Sequence, residues 1–219
     1  MVTSTTTRNL PAKVRPGGRD SAPVIRDHLR SEILNGHLQP GAEISQAQVA
    51  VDFGVSRGPV REAFRLLERD GLIDARVNHR ARVAGLSVEE LEHLYTLRVL
   101  NESLALSVSV PSFSAVELDQ LDELGEQLRS PARGTFDFER WDQVHQRFHM
   151  LLLAHSGSRM LGSAAEWAAH TRRYRRAYVE DARGLPAGAA EHAVLARLCR
   201  DRDARQGRGC WRCTCRGPP

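Results

Sequence analysis

The sequence predicts a mainly α fold in which a winged helix-turn-helix precedes an all-helical bundle. Three observations support this prediction. Apolar residues recur at helical spacing through most of the 219 residues. Two short, β-branched stretches between residues 72 and 84 have the length of hairpin strands. Only helical patterns follow Gly85-Leu86, so we place the boundary between two domains there.

Composition and periodicity divide the chain into four segments. Residues 1–20 mix Thr, Pro, Gly and charges without periodicity, which predicts a disordered leader. Residues 21–85 carry the winged helix-turn-helix pattern, and residues 86–203 carry that of a helical domain. Residues 204–219 form an aberrant tail that is rich in arginine and cysteine.

The N-terminal domain is predicted to begin with three short helices. The first runs from about Pro23 to Gly36, where glycine ends it. The second begins after Ser45, and the third begins after Ser56 and ends at Gly71. Two strands joined by a turn then complete the winged pattern.

The C-terminal domain is predicted from helix start signals and apolar spacing. Ser87 with Glu90 and Ser114 with Glu117 both fit the capping box, so each pair opens an amphipathic helix. The remaining helices are predicted at residues 137–155, at residues 160–178 and, after a loop at residues 181–188, from about Ala189 onward.

Charge is distributed unevenly along the chain, which carries 31 Lys+Arg and 27 Asp+Glu. Residues 1–86 have 13 basic and 9 acidic side chains, residues 87–196 have 11 and 16, and residues 197–219 have 7 and 2. The sequence has no run of 18 apolar residues and no apolar core of a secretory signal. We therefore expect a cytoplasmic protein without a membrane partner.

The third helix has the features of a helix that enters a DNA groove. Ser56 can cap it and contact a phosphate. Arg57 and Arg61 lie four residues apart on one face, where arginine can contact guanine or phosphate. The alternative is that both arginines are ordinary solvated charges. The predicted wing adds Asn78, His79 and Arg80, which would face a neighbouring groove or the DNA backbone.

A histidine pair in the helical domain has the spacing of metal ligands. His145 and His149 lie four residues apart on one helix face, and His192 at the start of the last helix could supply a third nitrogen. Gln146 stands where a H-E-x-x-H hydrolase needs glutamate, which disfavours metal-dependent hydrolysis by that route. Surface or core packing is the alternative role of such a pair.

Three segments of the first domain carry a resemblance to a known family. Residues 38–41, 55–63 and 66–73 are similar to the DNA-binding domain of GntR-type bacterial transcription regulators. In that family, two arginines of the recognition helix contact operator bases and phosphates. The resemblance implies this role for Arg57 and Arg61.

The second domain resembles the all-helical FCD domain that follows the GntR domain in one large subgroup. The segments that carry this resemblance are residues 97–102, 145–149, 173–175 and 191–192. It implies a divalent metal inside the bundle, a small carboxylate metabolite beside the metal, and dimerisation through this domain.

The resemblance also implies roles for particular residues of the second domain. His149 and His192 match the family's metal-binding histidines, and His145 stands where aspartate is commonest. An all-nitrogen ligand set favours Zn or Ni over Mn. Arg98 and Arg175 could neutralise the effector carboxylate, whereas salt bridging, of Arg98 to Glu102, or an exposed position is the alternative.

The C-terminal tail contains a pattern that is better explained by its codons than by zinc binding. All four cysteines lie between Cys199 and Cys215, without the second C-x2-C of a closed zinc site. If the codons of residues 209–215 are read two nucleotides later, with GC-rich choices, they encode an apolar segment containing histidine. That histidine would follow His192 at the spacing that the resemblance implies for the last metal ligand. We therefore interpret the tail as frameshifted, which predicts weak metal binding.

These patterns together predict a transcription regulator without enzymatic activity. It would bind an operator as a homodimer, and a carboxylate near the metal would modulate its operator affinity. One alternative is a metal-dependent small-molecule enzyme, although no general base or nucleophile is placed beside the histidines. The other alternative is an adaptor that binds a partner other than DNA.

Overall fold

Two units of different architecture divide the chain between Leu86 and Ser87. The computed structural model describes residues 21–76, 80–129, 136–180 and 185–214. Within these ranges no helix has both the length and the apolar character needed to span a membrane. The predicted leader, residues 1–20, lies outside the described residues.

The first unit confirms the predicted winged helix-turn-helix. Its strands form an antiparallel sheet in the order β1-β3-β2, with Ile73 opposite Val83. The first strand was not predicted, because three residues are too few to show a strand pattern. The elements are α1 (Ser21–Leu34), β1 (Glu43–Ser45), α2 (Gln46–Phe53), α3 (Arg57–Arg69), β2 (Ile73–Arg76) and β3 (Arg80–Val83).

Local signals explain how α2 and α3 are joined. The Ser45 hydroxyl accepts a hydrogen bond from the Gln48 amide and caps α2. Gly54 ends α2 with a left-handed φ of 62°, which glycine adopts without a steric cost. The inward face of α3 then packs against α1 through buried side chains, which are Val60, Ala63, Phe64 and Leu67.

The second unit is all-helical, as the sequence predicts. A 3-10 turn at Val110–Ser112 separates its first two helices. The last predicted helix begins earlier than expected, because residues 185–188 of the predicted loop form its first turn. The helices are α4 (Val88–Ser109), α5 (Ala115–Arg129), α6 (Phe138–Leu152), α7 (Ser158–Glu180), α8 (Leu185–Arg200) and α9 (Ala204–Thr214).

The two predicted capping boxes differ in the structure. Ser114 and Glu117 bond reciprocally, since each backbone amide donates to the other side chain. At the start of α4 the Ser87 hydroxyl accepts from the Glu90 amide, but the Ser87 amide donates to the Tyr174 hydroxyl instead. The second half of that box is therefore supplied by α7.

Helix α9 occupies residues 204–214 of the predicted tail and packs against α4 and α8. Trp211 is fully buried, and a Cβ added at Gly207 would lie 3.4 Å from Leu106 of α4. Other contacts pair α4 with α7, α6 with α7, and α5 with both α6 and α8. The interior between these helices holds the histidines. The frameshift interpretation itself stays a prediction.

Candidate metal centre and nucleic-acid interface

The three histidines expected to bind metal lie together in the interior of the second unit. His149 Nε2 is 3.1 Å from His145 Nε2 on the same helix, α6, and 3.1 Å from His192 Nε2 on α8. One nitrogen from each residue lies within 4.8 Å of the other two. His149 and His192 are buried, and His145 is half-buried. The geometry therefore joins the predicted i, i+4 pair to the predicted third ligand.

The imidazoles are held neutral, which is the form that binds a metal. Burial, with added repulsion from neighbouring charged groups, places the pKa values of His145 and His149 well below 6.5. Burial alone lowers the pKa of His192 to about 4. Metal ions therefore compete with few protons for these nitrogens near neutral pH.

The arrangement fits a divalent cation better than hydrogen bonds among the rings. A proton on His149 Nε2 can form a good hydrogen bond to only one of the two neighbouring nitrogens, His145 Nε2 or His192 Nε2. In the contact with the second nitrogen, no proton lies between the two atoms and their lone pairs face one another. Two nitrogens bound tetrahedrally to zinc at about 2.0–2.1 Å lie about 3.3 Å apart. The distances from His149 Nε2 to His145 Nε2 and to His192 Nε2, both 3.1 Å, are close to that separation.

Aromatic side chains hold the imidazole rings in place. Trp141 stacks on His145 with ring centroids 4.8 Å apart, and Trp211 packs edge-on against His149 at 5.0 Å. The Nδ1 atoms of His149 and His192 are buried without a hydrogen-bond partner among the described residues. Metal-binding histidines are usually oriented by a hydrogen bond at that nitrogen. Here the packing of aromatic rings takes its place.

A small cavity of about 70 Å³ adjoins two of the histidines. Pockets for drug-sized ligands measure about 300–1,000 Å³, so this cavity suits a metabolite of few heavy atoms. Both predicted effector-binding arginines line it. The lining residues are Arg98, His145, Gln146, His149, Met150, Ala165, Ala168 and Arg175.

Each of these two arginines is paired with a buried carboxylate. Arg98 donates to both carboxylate oxygens of Glu102, at 2.8 and 3.2 Å, and also to the Thr171 hydroxyl. Arg175 donates to Asp142 Oδ1 through Nε at 2.8 Å and Nη2 at 2.6 Å. The salt bridge that the sequence left as an alternative for Arg98 is therefore present, and the same residue still reaches the cavity.

Asp142 is a site residue that sequence reasoning missed. It is 1% exposed and accepts from Arg172 Nε at 2.6 Å as well as from Arg175. It precedes His145 by three residues, which places it on the same side of α6. Arg172 and Arg175 on α7 are also three residues apart. This equal spacing on the two helices could have indicated that Asp142 pairs with these arginines. No comparable signal identified Trp211, which lies in the aberrant tail.

The recognition helix exposes the arginines that were predicted to contact DNA. Ser56 occupies the N-cap of α3, but its side chain makes no capping hydrogen bond, contrary to the expected cap. Arg57 and Arg61 are exposed, and neither forms an ion pair with a described residue. By contrast, Arg65 on the same helix is paired with Glu62.

Only part of the predicted wing contact set can be placed. Arg80 is the first residue of β3, with 70% of its side chain exposed, and it pairs with Glu43 at 2.9 Å. The hydrogen bond from Arg80 is the main cause of the lowered pKa of Glu43. Asn78 and His79 lie outside the described residues.

Both units match known protein families. Residues 22–83 match the family described as bacterial regulatory proteins, gntR family, and residues 93–214 match the FCD domain. The second match extends through α9. It also contains all three histidines and both cavity arginines.

Individual relatives agree with the family matches. The HTH-type transcriptional regulator YdhC of Bacillus subtilis is 36% identical over 141 residues, which span 64% of this chain and 62% of YdhC. The crystal structure of a GntR family member from Pseudomonas syringae is 29% identical in sequence, with a TM-score of 0.53. The match covers 93% of this chain and 84% of the Pseudomonas chain. McbR/YncC of E. coli shares the fold, with a TM-score of 0.67 at 19% identity over 89% of this chain and 93% of its own. This chain therefore belongs to the gntR family of bacterial regulatory proteins and carries an FCD domain.

Proposed function

We propose that this protein is a DNA-binding transcription regulator that acts as a cytoplasmic homodimer. Its second unit would bind a divalent metal at His145, His149 and His192 and a small carboxylate beside the metal. The observation that carries the proposal is the buried imidazole triad at the wall of a small cavity. The same chain carries a winged helix-turn-helix, and the third helix of that unit exposes Arg57 and Arg61.

The donor set favours zinc or nickel. Three neutral imidazole nitrogens suit these ions, whereas manganese and magnesium prefer oxygen ligands. Three protein ligands leave at least one coordination position for a ligand. The bound metal would supply positive charge at the cavity wall, where the charges of Arg98 and Arg175 are already balanced by Glu102 and Asp142.

The metal assignment is tested by calorimetric titration of chelator-treated protein with zinc, nickel and manganese. We expect one ion per chain and tighter binding of zinc or nickel than of manganese. His149→Gln should weaken binding at least 100-fold, because His149 is the central member of the triad. His37→Gln, at an exposed position in the first unit, is the matched control. Unchanged zinc affinity in the His149 variant would contradict the assignment.

The two arginines would orient the carboxylate ligand while they remain paired. Arg175 uses Nε and Nη2 for Asp142, which leaves Nη1 for a ligand in the cavity. A set of two- to four-carbon carboxylic acids, added to zinc-loaded protein, should include acids that raise its melting temperature. Arg175→Lys keeps the charge but removes the planar fork, so it should reduce that shift. The lack of a shift with any acid would count against this ligand class.

DNA binding is tested by gel shift with the intergenic region upstream of the gene. Arg57→Ala with Arg61→Ala should abolish specific retardation, because these arginines are exposed at the start of the recognition helix. Arg69→Ala, at the far end of α3, is the matched control and should bind as the parent does. Retardation by the double variant would refute the assignment of the recognition helix. Release of the DNA on adding a carboxylate would link the two units.

A further inference from the structure

Helix α3 carries an arginine at every fourth residue from its first to its last, and these arginines differ in how they are held. Arg57 and Arg61 form no ion pair with a described residue, whereas Arg65 is paired with Glu62 three residues earlier. Arg65 Nε lies 2.9 Å from Glu62 Oε2, and Arg65 Nη2 lies 2.6 Å from Glu62 Oε1. The guanidinium and the carboxylate therefore meet side by side through two hydrogen bonds.

Arg65 lies on the side of α3 that faces away from the core of the first unit. The core side of α3 is defined by its buried residues, which are Val60, Ala63, Phe64 and Leu67. At about 100° per residue, Arg65 lies about 150° from the centre of that buried side, compared with about 110° for Arg61 and about 70° for Arg57. The Arg65 side chain is 62% exposed. A recognition helix that presents its outer side to a groove would therefore bring Arg65 to the DNA together with Arg61.

The ion pair with Glu62 occupies only one edge of the Arg65 guanidinium. A guanidinium carries five N–H donors in a planar fork, and Glu62 accepts from Nε and from Nη2. The two N–H groups of Nη1 and the second N–H group of Nη2 are not used by the carboxylate. The edge formed by Nη1 and Nη2 is the one that can bind O6 and N7 of guanine in the major groove. Because rotation of the fork would break both hydrogen bonds to Glu62, the carboxylate fixes the direction of this edge.

The charge of the pair favours a base contact over a phosphate contact. The hydrogen bond from Arg65 is the main cause of the lowered pKa of Glu62, so this carboxyl group is ionised at neutral pH. The pair then carries no net charge and adds little to the counterion release that drives phosphate binding. A neutral pair with a fixed fork supplies directional hydrogen bonds instead, and contacts of that kind read a base sequence.

We propose that Arg65, held in place by Glu62, binds a guanine of the operator and sets the sequence preference at one position of each half-site. Arg65 follows Arg61 by four residues, or about 6 Å of helix, so with α3 along the groove this guanine should lie about two base pairs from the base that Arg61 contacts. The inference rests on the proposed role of α3 as the recognition helix. It adds to Arg57 and Arg61 a base contact made by an arginine that is already paired.

The inference is tested by selecting duplexes from a random DNA library with the full chain and sequencing the bound fraction. The parent chain should select a consensus that contains this guanine in each half-site. Arg65→Lys keeps the charge but removes the fork, so it should reduce the preference for guanine at that position about tenfold and leave the other positions unchanged. Glu62→Gln keeps Arg65 but offers it a single acceptor oxygen, so it should weaken the same preference without moving it.

A similar ion pair in the second unit supplies the matched control. Arg129 and Glu126 on α5 have the same three-residue spacing, with 58% and 59% of their side chains exposed. Arg129→Lys and Glu126→Gln should each select the consensus of the parent chain. All four substituted side chains lie at exposed or half-exposed positions, so every variant should keep the fold, as measured by circular dichroism.

Salt dependence separates a base contact from a phosphate contact. Arg65→Gln with Glu62→Gln replaces a pair without net charge by two neutral side chains. We expect this double variant to lose the guanine preference while the slope of log affinity against log salt concentration stays that of the parent. If Arg65 binds a phosphate instead, the double variant should bind all sequences more weakly, with the slope reduced by about one. That result, or an unchanged guanine preference in Arg65→Lys, would overturn the inference.

The same selections separate this inference from the proposed function. A consensus that is lost in Arg57→Ala with Arg61→Ala but is intact in Arg65→Lys would contradict the inference alone. A guanine preference that depends on Arg65 and survives the loss of Arg57 and Arg61 would support the inference and contradict the assignment of those two arginines. A parent chain that selects no consensus would contradict both.

Discussion

Replacement of the buried Arg98–Glu102 pair offers a sharp energetic test of the site. Both side chains lie in the interior, at 4% and 1% exposed, and the pair is bidentate. Glu102→Leu would leave the Arg98 guanidinium buried without its bidentate carboxylate partner. Breaking a buried pair from one side costs about 3–5 kcal/mol, a large part of the stability of a domain.

The two single variants should differ, because only one partner can discharge itself. Burial raises the pKa of Glu102 above its ordinary value of 4.5 although Arg98 opposes the shift. In Arg98→Met the carboxyl can therefore take up a proton, whereas the guanidinium in Glu102→Leu cannot lose one. We expect Arg98→Met to lower the free energy of unfolding by less than Glu102→Leu does. The double variant Arg98→Met with Glu102→Leu should lie within about 1 kcal/mol of the parent, because two apolar side chains replace the pair.

The assay is urea unfolding followed by circular dichroism at pH 5 and pH 7. A carboxyl group whose pKa is raised on folding stabilises the fold below 4.5, and that stabilisation is lost as the pH rises through the folded value. The free energy of unfolding of Arg98→Met should thus fall further below that of the parent as the pH rises from 5 to 7. The exposed Arg65–Glu62 pair is the control and should show no measurable coupling. Single variants that each cost little, with additive effects in the double variant, would refute the reasoning.

Three further predictions concern single residues. Gly54→Ala should lower the free energy of unfolding by about 1 kcal/mol, because φ is 62° there; an unchanged urea midpoint would contradict this. Ser114→Ala should cost about 1 kcal/mol by removing a reciprocal cap, measured in the same way. Burial raises the pKa of Cys199 to about 12, so iodoacetamide at pH 8 should modify the native protein at Cys210 well before Cys199, as mapped by mass spectrometry. Equal rates at both thiols would show that Cys199 is accessible.

The fold was predictable where local chemistry decides it. Glycine at Gly54, the serine caps of α2 and α5 and the apolar spacing of α3 all act within a few residues. The sheet was less predictable, since β1 exists only through its pairing with β3, about 37 residues later in the chain. A three-residue strand carries too little pattern to be recognised alone.

The site was predictable as a set of ligands but not as a charge arrangement. His145, His149 and His192 were identified from spacing and resemblance, and they meet in the structure. The pairing of Asp142 with two arginines depends on how α6 and α7 pack, which spacing on one helix does not determine. The frameshift hypothesis is a statement about the gene. Resequencing codons 203–216 in closely related strains tests it directly.

The rings that flank the triad give the protein a built-in optical signal. Trp141 and Trp211 supply two of the three tryptophans, and each contacts an imidazole of the triad at about 5 Å between ring centroids. A paramagnetic ion such as nickel at that distance quenches indole emission, whereas zinc does not. Loss of fluorescence on adding nickel, and its return when zinc displaces the nickel, would therefore report in real time which ion occupies the bundle.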